Sequence, residues 1–131
     1  SFLMFLGFLT GALVSAAITH QINADGAFML ASHLNALMGC FWCMGVAWTV
    51  PSLALSAQRV SLLTTLVIIA TYANWGVTLV KAFLKVQGIT FLGETYNDLI
   101  FVSLTLSVVI PSVLAGGLWA WGCWKSWRVW V

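Results

Sequence analysis

Four apolar runs, at residues 2–19, 27–50, 57–83 and 96–124, are set apart by short polar stretches. Each is near or above the roughly 20 residues a helix needs to cross the hydrocarbon of a bilayer. The pattern predicts an all-α integral membrane four-helix bundle with four transmembrane helices. Residues 20–26 (His-Gln-Ile-Asn-Ala-Asp-Gly) form the first loop and end on an Asp-Gly turn signal. Pro51-Ser52 stops the second helix and opens a short connection through Ser56, while residues 84–95 form a longer loop carrying Lys85, Gly88, Gly93 and Glu94. Within the first run, Val14-Ser15-Ala16-Ala17 looks like a signal-peptide cleavage site. No basic segment precedes it, however, and the apolar run is long for a leader, so a retained helix is expected. Gly7 and Gly11 form a small-xxx-small pair that lets another helix approach closely.

Composition names the medium. With 62% hydrophobic and 6% charged residues, and a mean hydropathy of +1.04, the chain lacks the roughly 25% of charged residues that a water-facing domain carries. The 131 residues allow one transmembrane domain over 1–131. A net charge of +2, thinly spread, gives no patch for nucleic acid. Ser1 is not an initiator Met, and terminal segments are expected to be missing from this numbering. Arg59 and Lys81, near the ends of the third run, can snorkel to the interfaces. Trp119, Trp121, Trp124, Trp127 and Trp130, with Lys125 and Arg128, read as an interfacial aromatic and basic anchor. Arg59, Lys125 and Arg128 lie on the side of the short connection, against Lys81 and Lys85 on the other, which favours cytoplasmic termini.

Polar groups inside apolar runs are costly unless paired or used. His33 lies 18 residues before Pro51, and Asn74 lies 17 residues after Ala57. In adjacent antiparallel helices both therefore sit roughly 26 Å from the short connection. Thr71, Tyr72, Ser15 and Ser103 fall near the same level, so a polar layer, and with it a pocket, is expected there. Imidazole is the commonest metal ligand, and with no carboxylate inside the membrane the obvious metal is a haem iron held by a single His. His33 is either that ligand or a hydrogen-bonding group between helices. His20 reads as an exposed loop residue rather than a second ligand. Asn74 can hold helices together, contact a substrate, or both. Cys40 and Cys43 sit mid-helix, away from the turn or helix N-terminus that would activate a thiolate, and read as packing residues. With Cys123 they make no zinc set. Glu94 and Asp98 read as a solvated loop and helix start. No phosphate loop, nucleophile elbow or carboxylate-lined path is present in the sequence, which disfavours hydrolase, ATPase and proton-pump readings.

Phe8-Leu9-Thr10-Gly11, Ala31-Ser32-His33-Leu34 and Thr71-Tyr72-Ala73-Asn74-Trp75 together resemble the small four-helix membrane proteins typified by hydroxylaminobenzene mutase. Styrene oxide isomerase looks like a more distant relative. It is echoed by His33, Pro51-Ser52-Leu53, Ala73-Asn74 and Gly88-Ile89-Thr90-Phe91 in the same order and at nearly the same spacing. The resemblance implies a trimeric protein, in a bacterial inner membrane, with haem b on His33 acting as a Lewis acid in an isomerisation. In the mutase case the substrate is an aryl hydroxylamine. Asn74 and Tyr72 are then the candidate substrate contacts, with at most one of them facing the iron.

The chain departs from the isomerase pattern at three places. Gly39 stands where that family has an Asn six residues after the His, Ala70 stands for an acid and Thr78 for a Tyr. Asn35, two residues after His33, is turned about 200° from it and is not expected to substitute. Two classes of function follow. One is a haem-dependent membrane isomerase or mutase acting on a small aromatic compound. The other is a non-catalytic structural subunit of a larger membrane complex.

Overall fold

The computed structural model describes residues 2–130, with side chains through Arg128. Ser1, Val131 and the Trp130 ring of the expected anchor lie outside the described residues. The helices are α1 (Phe2–Ile18), α2 (Gly26–Thr49), a 3-10 turn (Val50–Ser52), α3 (Ala57–Leu84), α4 (Thr95–Leu104), a π-helical turn (Thr105–Val109) and α5 (Ile110–Trp130). From Thr95 the last three run on without a break as the fourth crossing, so the chain is an all-α membrane bundle of four helices. Spans Gly26–Ser52, Ala57–Leu84 and Thr95–Arg128 are long and apolar enough to cross a bilayer, and α1 is a shorter apolar helix. Its 17 residues sit at the lower end of spanning length. Outward-facing Phe5, Phe8, Trp48, Leu106 and Val113 are more than half exposed, as lipid-facing residues are.

Local chemistry sets the boundaries. Asp25 Oδ1 accepts the Phe28 amide at 3.0 Å, capping α2. The Asp25 amide donates to Ala82 O at 2.8 Å and ties the first loop to the end of α3. Pro51, which has no N–H to donate, ends α2 in the 3-10 turn. Lys85, at φ 55, closes α3 with a left-handed residue. Asp98 is more than a solvated charge, because its carboxylate accepts from the Leu92 and Gly93 amides at 2.9 and 3.2 Å. Buried Asn97 accepts from Gly88 N and donates to Thr90 O, both at 2.7 Å. Gly88 has φ +59, and a Cβ there would collide with Ile100. The long loop is thus laced onto the first turn of α4.

The fourth crossing departs from a plain α-helix. Pro111 cannot supply the usual amide to the turn before it. The preceding residues re-pair at longer spacing, with Ile110 N donating to Thr105 O, a π turn of the kind often found at functional sites. The helix also runs to Trp130, beyond the expected end at residue 124.

The helices pack in chain order, α1 on α2, α2 on α3, and α3 on the fourth crossing. Two apolar clusters form. One gathers Val14, Ala17, Met29 and Ala82 near the long loops, and the other gathers Val46, Leu63, Val67 and Ala115 near the short connection. Between them lie the buried polar residues Thr10, Ser32, Thr71 and Thr78. The polar layer expected from chain counting divides the core.

Candidate functional site

His33 stands on the face of α2 that meets α1. Its Nδ1 is 2.8 Å from Gly7 O. A carbonyl only accepts, so Nδ1 carries the proton, and in the neutral ring Nε2 holds the lone pair. Gly11 makes room for the ring, since a Cβ there would lie 3.1 Å from His33 Cε1 and 3.2 Å from Nδ1. The Gly7/Gly11 pair therefore lets α1 approach α2 and orients the imidazole. A backbone carbonyl on the far ring nitrogen is the usual way a ligating His is oriented.

Asn35 faces the other way, toward α3. Its Nδ2 donates to Asn74 Oδ1 at 3.0 Å and to Thr78 Oγ1 at 3.1 Å. Asn74 and Thr78 are four residues apart and so share one face of α3. Asn35 and Asn74 border a cavity of about 270 Å³, walled further by Met38, Gly39, Trp42, Thr71 and, from the fourth crossing, Ser112. Asn74 Oδ1 is taken by Asn35, and among the described residues no protein acceptor is bonded to its Nδ2. That N–H₂ group is available to a guest.

The layer is pinned by bonds between helices. Trp75 Nε1 donates to Thr10 Oγ1 at 2.9 Å, and Ser32 Oγ donates to the Trp75 backbone O at 3.0 Å, so α1, α2 and α3 meet at this one residue. Thr71 returns its hydroxyl to Val67 O at 2.8 Å. Cys43 Sγ lies 3.7 Å from Thr71 Oγ1, and all three cysteines are free.

The residues of the expected layer do not all come together. His33 and Asn74 share a level, but the cavity holds Asn74 and not His33, because the two side chains leave the α2–α3 pair toward different neighbours. Ser15 is exposed. Ser103 borders a separate groove with Gly76 and Val80. Depth along the chain says nothing about azimuth around a helix, and azimuth decides both cases. Tyr72 is half-buried on α3 and is not among the residues bordering the cavity. His20 is exposed in the first loop at φ 59. Asn35 is turned away from His33, as its two-residue offset predicts. It lies one turn from Gly39 on the same face, and both border the cavity.

Gly39 is required by close packing. A Cβ there would lie 3.0 Å from Thr71 Cβ and 3.1 Å from Leu3 Cδ2. Gly39→Asn is accordingly expected to destabilise the bundle by about 1–3 kcal/mol through overpacking. A lowered unfolding temperature in detergent would show this, and an unchanged one would mean that α2 and α3 separate readily.

Among the described residues no three His, Cys, Asp or Glu side chains come together, so a cage built wholly of protein ligands has no ligand set. A porphyrin iron needs only one protein ligand, and the free Nε2 of His33 is chemically suited to it. A family model described as styrene oxide isomerase matches residues 1–124. No curated protein and no solved structure matches the chain.

Proposed function

The chain belongs to the styrene oxide isomerase family, and from that premise we propose that it is a haem-dependent membrane isomerase or mutase of a small aromatic substrate, an aryl hydroxylamine or related compound. Membership of the family points to a membrane isomerase, and the apolar helices place it in contact with lipid. The observation that carries the haem reading is the His33 Nδ1 bond to Gly7 O at 2.8 Å, which leaves Nε2 as the ligating nitrogen.

When bound, haem b supplies a Lewis acid that polarises a substrate oxygen with no net change of redox state. Gly7 and Gly11 hold the His33 ring against α1. Asn74 offers an N–H₂ donor in a cavity set among apolar helices, where a hydrogen bond is little screened. Trp42 and Met38 give that cavity an aromatic and a polarisable wall suited to an aromatic guest. Tyr72 is a second proposed contact, outside this cavity. One chain keeps its imidazole and its amides on opposite sides of α2, which supports the homo-oligomer, a trimer by resemblance, in this reading. Arg59, Lys125 and Arg128 beside the short connection support an orientation with that side cytoplasmic, and the bacterial inner membrane is proposed by resemblance alone.

The structural-subunit reading rests on a different feature, the Asn35, Asn74 and Thr78 bonds, which join α2 to α3 without any guest. A visible spectrum and pyridine haemochrome assay of the purified protein separate the two. The enzyme reading expects one haem b per chain and rearrangement of added aryl hydroxylamines or epoxides. A colourless, folded protein would favour the structural subunit.

A further inference from the structure

The two faces of the bundle treat their charges differently. The chain has three side-chain carboxylates, Asp25, Glu94 and Asp98, and all lie at the end that carries the two long loops. There Lys81 rests over the Phe28 ring at 4.1 Å, beside the end of α3 to which Asp25 is bonded. Lys85 bonds Asn23 Oδ1. At the opposite end, beside the α2–α3 connection, Arg59, Lys125 and Arg128 have no side-chain carboxylate within reach among the described residues.

What they have is indole. The Arg59 guanidinium lies 4.8 Å from the centre of the Trp121 ring, and Lys125 Nζ lies 5.6 Å from that same centre. Arg128 stacks on Trp124 at 3.9 Å. Arg59 lies in the first turn of α3 and Lys125 near the end of α5, so one ring gathers cations from two helices at the depth where Trp side chains meet lipid headgroups.

The support beneath is fixed. Ser126 Oγ accepts the Ala54 amide at 2.7 Å and donates to Gly122 O at 2.9 Å. Trp119 Nε1 donates to Thr49 Oγ1 at 2.9 Å. Gly122 lets Leu55 of the connection press against α5, for a Cβ there would lie 3.0 Å from Leu55 Cδ1. Arg59 and Lys125 therefore stand on elements that cannot drift apart. Cations stacked on rings keep their outer N–H donors free, and in a bilayer the nearest uncommitted anions are phosphates.

We propose that Arg59, Trp121 and Lys125 form a headgroup site for an anionic phospholipid on the bundle face beside the α2–α3 connection. The site is independent of haem and of the cavity. The lipid phosphate bonds the guanidinium and the ammonium while its acyl chains run down the apolar flank between α3 and α5.

The test uses the full chain in nanodiscs of phosphatidylcholine with 10–20% phosphatidylglycerol or cardiolipin, followed by gentle extraction and native mass spectrometry. The expected result is an anionic lipid retained at least about tenfold over its share in the disc. Retention should fall to the bulk ratio in Arg59→Gln/Lys125→Gln and stay unchanged in Lys85→Gln at the other end. Glutamine removes the charge and shortens both side chains, so folding is checked by circular dichroism, and Trp121→Phe, which keeps a ring but weakens the stacking, should give an intermediate loss. Unchanged retention in the double variant would overturn the proposal, as would equal retention of phosphatidylcholine. Displacement of the lipid by millimolar inorganic phosphate would also overturn it, because the site would then be a free-anion site.

Discussion

His33→Ala is expected to leave a protein that inserts and folds but carries no haem and shows no turnover above background. The reasoning starts from how little the ring contributes to the scaffold. It supplies one hydrogen bond, to Gly7 O at 2.8 Å, and such bonds between membrane helices average about 0.6 kcal/mol. The contact of α1 with α2 also includes Gly7 against Leu37 and Ala36, which the substitution leaves intact. The loss in function is of a different order, because a single protein ligand leaves the iron nothing to fall back on. Two further variants separate ligation from packing. His33→Gly should recover a Soret band when free imidazole is added, since the missing ring leaves its own space beside Gly11. Gly11→Ala keeps His33 but sets a methyl 3.1 Å from Cε1, and should weaken haem retention by displacing the ring. Full haem content in His33→Ala would exclude His33 as the ligand.

Asn74→Ala is expected to lower turnover about 100-fold, the usual effect of removing one positioned donor in a water-poor site, while haem content stays near that of the parent. Structurally the change is mild. Asn35 Nδ2 loses its bond to Asn74 Oδ1 at 3.0 Å but keeps Thr78 Oγ1 at 3.1 Å, so it is not orphaned. Asn74→Asp tells the roles apart. It preserves an oxygen for Asn35 and removes the N–H₂ donor, so a substrate contact predicts a stable protein with low turnover. Full turnover in Asn74→Asp, with loss of folding in Asn74→Ala, would instead assign Asn74 to holding α2 against α3.

The number and rough extent of the helices were legible because a bilayer demands long apolar runs with every backbone group paired within the helix. Depth was legible too, since rise per residue is constant. That constancy placed Asn74, Thr71 and His33 in one layer. Which neighbour each side chain meets was not. His33 meets Gly7 and Gly11 because two small residues on α1 open a slot at that height, and no residue near His33 in sequence announces it. The offset from His33 predicts the opposed direction of Asn35, but only the packed helices show that it shares a cavity with Gly39. The π turn at Thr105–Val109 is not legible, because Pro111 marks a missing amide without saying how the carbonyls before it will re-pair. The helix runs on through Trp127 and Arg128 because falling hydropathy there marks the headgroup zone and not the end of the helix.

The order in which the helices pack bears on how the protein is made. Since α1 rests on α2, α2 on α3 and α3 on the last crossing, each segment leaving the insertion machinery finds its partner already in the bilayer. The His33 bond to Gly7 needs only the first hairpin, residues 2–49. The imidazole can thus be oriented during synthesis, before the Asn35–Asn74 pair closes against α3. Biogenesis of the two halves of the site is sequential, from the ribosome-distal end inward.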